Sequence, residues 1–130
     1  MGINPLERRN TMDRFQWTTV NGKTVLKQDF SDLGRDEMKD YLIKSHEVIK
    51  AKGKRDIVVM TNIRNLKFDR QITKAFEELS KKNKDYVMES AIFGVGTLQK
   101  VAIEAVGRLT GRHFNIFREE QEAMHWALHL

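Results

Sequence analysis

The chain has 130 residues and a mass of 15.2 kDa, with 40% hydrophobic and 32% charged residues. That balance favours one soluble globular domain over a disordered or membrane protein, and no apolar run approaches the ~20 residues that span a bilayer. There is no cysteine, which excludes disulfides, thiolate metal sites, cysteine nucleophiles and thiol switches and leads us to expect a reducing, cytoplasmic setting. Lys plus Arg number 23 against 18 Asp plus Glu, a net charge of +5. The charges are interspersed as on ordinary solvated faces, so nucleic-acid binding is not the expected role.

Residues 1–13 read as a flexible polar tail, with Pro5 and Arg8-Arg9 and no periodicity. Gly2 invites a myristoylation reading, but Leu6 stands where that motif needs Ser or Thr. The segment lacks the apolar stretch of a signal peptide. The folded domain is expected over residues 14–130.

Residues 15–20 and 23–30 are rich in aromatic and β-branched side chains and flank Asn21-Gly22, which predicts a hairpin with a type I′ turn. Gly34 then caps a helix with Asp36 and Glu37 in its first turn and Gly53 at its end. Its expected buried stripe is Met38, Tyr41, Leu42, Ser45, Val48 and Ile49. Residues 57–60 form a continuously apolar run, as in a strand buried on both faces.

Asp69 is the expected N-cap of the next helix, whose stripe is Ile72, Ala75, Phe76 and Leu79. Residues 88–95 predict another buried strand. Gly94-Val95-Gly96 makes the turn, and Thr97 is expected to cap a helix burying Leu98, Val101, Ala102, Ala105 and Leu109 before Gly111. A short alternating strand at 113–117 precedes a last helix from about residue 119, with Ala123, Ala127 and Trp126 inward. The order β-β-α-β-α-β-α-β-α implies an α/β fold with a mixed, mostly parallel sheet of about five strands, an N-terminal antiparallel hairpin and four helices.

Three segments carry a family resemblance: the hairpin running through Asp29-Phe30-Ser31 into a helix; the passage from Ala91-Ile92-Phe93 through Gly94-Val95-Gly96-Thr97 to Lys100; and Gly111-Arg112 with residues 114–117 before Glu119-Glu120, Ala123 and Trp126. The chain resembles the STAS (sulfate transporter and anti-sigma factor antagonist) fold, and within it the small SpoIIAA-like bacterial proteins related to lipid-transfer-like domains. The resemblance covers residues 14–128 and implies a regulatory module without a cofactor. Anti-sigma factor antagonists carry a phosphorylated serine in an Asp-Ser-Ser-Gly motif. Here Asp69 takes the Asp place but Arg70-Gln71 follow, and Thr73 lies a turn inside the helix.

Ligands of open α/β sheets tend to lie beyond the carboxyl ends of the strands. Thr61, Asn62 and Asp69 on one crossover loop and Gly94, Gly96, Thr97 and Lys100 on the next are therefore the candidate ligand-binding residues. Glycines at a helix N-terminus suit an anion, although no complete phosphate-loop motif is present. A tight turn and a capped helix account for the same residues more simply.

Glu122, His125 and His129 share one helix face, but two imidazoles beside a helix C-terminus need no metal. No metal, cofactor or catalytic assembly is expected. The resulting expectation is a non-enzymatic module engaging a protein partner, a nucleotide or a small anion. The alternative is a carrier of an apolar or lipid-like ligand held between the sheet and the last two helices. The apolar last helix also allows a homodimer.

Overall fold

The computed structural model describes residues 14–130, so the predicted tail at 1–13 lies outside the described residues. Strands β1 (Phe15–Val20) and β2 (Lys23–Asp29) form the hairpin. Asn21 (φ 50°) and Gly22 (φ 79°) occupy the two left-handed positions that a type I′ turn requires. The chain continues through α1 (Arg35–Lys52), β3 (Ile57–Asn62), α2 (Arg70–Asn83), β4 (Val87–Phe93), α3 (Thr97–Thr110), β5 (Phe114–Ile116) and α4 (Glu120–Leu128).

The sheet order is β1-β2-β3-β4-β5, antiparallel only between β1 and β2. Parallel strands added always in the same direction, by crossovers of one hand, place the three connecting helices on one face. Accordingly Met38, Tyr41 and Leu42 of α1, Ile72 and Leu79 of α2 and Ile103 of α3 share one core with Phe30, Ile63 and Ile92. The opposite face is covered by α4, whose Ala123 and Ala127 pack on Val25, Val58, Met60 and Ala91. β3 lies mid-sheet between these layers, and the four apolar residues from Ile57 to Met60 are all buried.

Tyr41 sits 6.0 Å from Phe15 and 6.3 Å from Phe30, ring to ring. Burial raises its hydroxyl pKa above the ordinary 10.0, against a smaller opposing pull from Arg14.

In two respects α3 departs from the sequence reading. Its N-cap is Gly96 and Thr97 is its first helical residue. Its buried side is Ile103, Val106, Gly107 and Thr110, while Leu98 (86% exposed), Val101 (63%) and Leu109 (68%) face outward. Apolar residues cover this helix on every side but the Lys100–Glu104–Arg108 flank, too broad an arc for periodicity to select the buried face. Gly107 selects it: a Cβ there would lie 2.8 Å from the Arg112 carbonyl oxygen, so the chain entering β5 packs directly on the helix backbone.

Candidate functional site

Asn62 and Phe93 are paired neighbours at the ends of β3 and β4, so the loops leaving them emerge on the same rim of the sheet. The two loops touch there. The Gln99 amide donates to the carbonyl oxygens of Ile63 (3.3 Å) and Leu66, and its Oε1 accepts from the Gly96 N–H (2.6 Å). One side chain therefore caps α3 and ties it to the β3–α2 loop.

The β2–α1 loop joins the same platform. Asp32 (φ 62°) and Asn65 (φ 61°) both adopt the left-handed conformation, which is unfavourable for side-chain-bearing residues and least so for Asn and Asp. Asn65 Nδ2 donates to Asp32 Oδ1 at 2.8 Å, and the Asp32 N–H donates to the Arg64 carbonyl at 3.0 Å. At the far side the Gly94 N–H donates to the Arg118 carbonyl (3.2 Å), and Arg64 pairs with Glu119 at 3.4 Å. The outcome is a braced, exposed polar surface assembled from four loops.

The residues singled out from sequence are placed as follows. Asn62 Oδ1 accepts from the Arg64 N–H (3.0 Å) and shapes the turn. Gly94 (φ 75°) supports that turn, since a Cβ on it would lie 2.9 Å from both Arg64 N and Asn62 Oδ1. Asp69 caps α2 through the Ile72 N–H (2.8 Å) and pairs with Arg35 at 3.3 Å. Gly96 and Thr97 are exposed at the start of α3.

Two residues lie elsewhere. Thr61 is 8% exposed and points to the α1 side, where its hydroxyl accepts from Gln28 Nε2 (2.9 Å) and Gln28 Oε1 accepts from the Ser45 hydroxyl. The alternation of β3 assigns Thr61 to that face and Asn62 to the other, which a reading of loop position overlooks. Lys100 points away from the loops into a groove between α3 and β5. Conversely, Asp32, Arg64, Asn65 and Gln99 escaped notice. For Asp32 and Asn65 the sequence signal is that Asp and Asn are the side chains best suited to left-handed turns; for Gln99 it is the place three residues after Gly96, the N3 position of a capping box.

Thr73, the hydroxyl nearest the motif position of the antagonists, is half-buried and donates to the Asp69 carbonyl (2.8 Å). On α4 the His129 ring bonds back to the His125 carbonyl (2.8 Å), and among the described residues no group of three or more His, Asp or Glu is placed to hold a metal. On opposite faces of the sheet, the inward sides of α3 and α4 are packed by Ile103, Val106, Ala123 and Ala127, all 1% exposed or less. No helix among the described residues is long and apolar enough to cross a membrane.

The five-stranded mixed sheet, three helices on one face and the C-terminal helix on the other define a SpoIIAA-like α/β domain. Comparison with solved structures bears this out. An uncharacterized protein of the DUF3478 family with a SpoIIAA-like fold, from Shewanella loihica PV-4, superimposes with a TM-score of 0.59. The match covers 87% of this chain and 91% of that one at 16% sequence identity, a likeness of fold alone. No protein-family model and no curated protein matches the chain.

Proposed function

We propose that the protein is a non-enzymatic binding and regulatory module of the cytoplasm that engages a protein partner through the C-terminal rim. The observation that carries this reading is the Asp32–Asn65 pair: two unfavourable backbone conformations, hydrogen-bonded to each other, on the exposed loops. Left-handed residues other than glycine cost least when they are Asn or Asp, and where surrounding structure holds them in place they cluster at ligand clamps and switch regions. The rim's polar groups largely bond to one another, and Gln99 already occupies the Gly96 N–H. A braced surface of that kind fits a protein better than a nucleotide or small anion, which would have to displace its internal bonds.

A test uses a photo-crosslinking amino acid at Lys67 on the rim and at Lys54, which bonds Thr24 at the opposite end of the sheet. In cells that make the protein, a discrete protein adduct is expected from position 67, absent from position 54 and weakened by Gly96→Asp. Aspartate suits an N-cap, so that variant keeps the fold while placing a carboxylate on the rim. If Gly96→Asp leaves both the fold and every adduct intact, the rim is not the working surface. Phosphate and nucleotides are expected to leave the melting temperature unchanged.

The second reading, a carrier of an apolar ligand, draws on one feature. A groove of about 600 Å³ between α1 and α2 is floored by Leu42, Ile43, Ala75 and Leu79. Native mass spectrometry of freshly purified protein separates the two readings, since a copurifying lipid supports the carrier.

A further inference from the structure

A different surface, remote from the Asp32–Asn65 pair, lies at the last sheet edge. β5 is terminal in the strand order and pairs only with β4. The Phe117 N–H donates to the Ile92 carbonyl (2.8 Å). Alternation along a parallel strand then turns the peptide groups of Asn115 and Phe117 toward β4 and those of Phe114 and Ile116 toward the open edge.

Between this edge and α3 runs a groove of about 710 Å³ with Phe114 and Ile116 along its apolar part. Its charges are Lys100, Arg108 and Arg112 against Glu104. Among the described residues none of the three cations joins a salt bridge. Arg112 is the most informative. It is half-buried, and its guanidinium donates to the Ser80 carbonyl and the Ser90 hydroxyl, both at 2.9 Å and both neutral. Burial lowers its pKa from the usual value, as expected for a cation without a compensating anion.

We propose that this groove receives an acidic, extended peptide segment of a partner protein, laid beside β5 as a sixth strand. The outward N–H and C=O groups of Phe114 and Ile116 bond the segment's backbone. Every second side chain of the added strand points to the α3 side. Lys100 and Arg108 stand eight residues apart on one flank of α3, a rise of about 12 Å. Four strand residues span about 13 Å, so the segment carries carboxylates four positions apart. Nucleic acid would use the cations but not the strand edge, which favours a peptide.

The test uses the full chain and a fluorescein-labelled nonapeptide rich in Val and Thr with two Glu four positions apart. Controls are the same peptide with Lys for Glu and one N-methylated at alternate amides. Saturable, salt-sensitive binding of the acidic peptide is expected, with both controls at least tenfold weaker. Lys100→Gln with Arg108→Gln, both exposed, weakens it at least tenfold with the native circular dichroism spectrum unchanged. Bound peptide slows hydrogen exchange of the Phe114 and Ile116 amides, and Gly96→Asp leaves its affinity unchanged.

The proposal is overturned if the acidic peptide fails to bind at millimolar concentration or binds no better than the Lys peptide. It is equally overturned if N-methylation has no effect, if exchange protection appears elsewhere, or if a single-stranded DNA oligonucleotide displaces the peptide at lower concentration than unlabelled peptide does.

Discussion

Gly94→Ala tests how tightly the rim is built. Gly94 has φ 75°, and an added Cβ would meet Arg64 N and Asn62 Oδ1 at 2.9 Å and Arg64 Cβ at 3.1 Å. Two of those three atoms are not free ends of flexible side chains, and Asn62 Oδ1 is held by the Arg64 N–H. The substitution therefore combines a left-handed backbone penalty of about 1 kcal/mol with about 2 kcal/mol of overpacking. Gly22→Ala is the matched control, because Gly22 has φ 79° and nothing within 4 Å of the added Cβ. It carries the backbone penalty of about 1 kcal/mol alone. For a domain of this size each kcal/mol lowers Tm by roughly 4 °C. Thermal unfolding by circular dichroism should thus show losses of about 12 °C for Gly94→Ala and about 4 °C for Gly22→Ala. Urea unfolding should give the same order with an unchanged m value. If the two variants melt within about 2 °C of each other, the close packing of the two loops is refuted.

Other expected outcomes follow from the same geometry. Leu98→Gln and Leu109→Gln should shift stability by no more than about 0.5 kcal/mol, whereas Ile103→Ala on the buried side of α3 should cost about 2–5 kcal/mol by denaturant titration. Gln28→Ala leaves the Ser45 and Thr61 hydroxyls buried without partners and should cost about 2–4 kcal/mol, while Asp69→Ala, loss of a cap, should cost about 1 kcal/mol. Tyr41 has its pKa raised by burial, so the unfolded chain ionises first: the stabilisation is fully present below pH 10.0 and is lost as pH rises through the higher folded value. Alkaline titration of stability should show that loss, and Tyr41→Phe should reduce it.

Local signals determined the element order. The Asn21-Gly22 turn, the left-handed caps at Gly53 and Gly111 and the Asp69 cap each depend on a few neighbouring residues, and all occur where the residue types place them. The apolar run from Ile57 to Met60 implied a strand covered on both faces, and the sheet buries all four residues. Because strands alternate with helices along the chain, the parallel topology followed, and with it the meeting of two crossover loops on one rim.

Tertiary structure decided the rest, for a physical reason that recurs at each point of difference. A side chain's direction depends on its neighbours across the fold as well as on its own segment. Thr61 and Asn62 are adjacent in sequence, yet strand alternation sends one into the core with Gln28 and leaves the other on the rim. The exposed stripe of α3 is as apolar as a core stripe, and only the close approach of Arg112 to Gly107 shows which side faces the sheet. Asp32 and Asn65 lie 33 positions apart and become partners only once β2 and β3 are paired. Contacts across that distance are set by loop closure and packing, which residue type and periodicity do not encode locally.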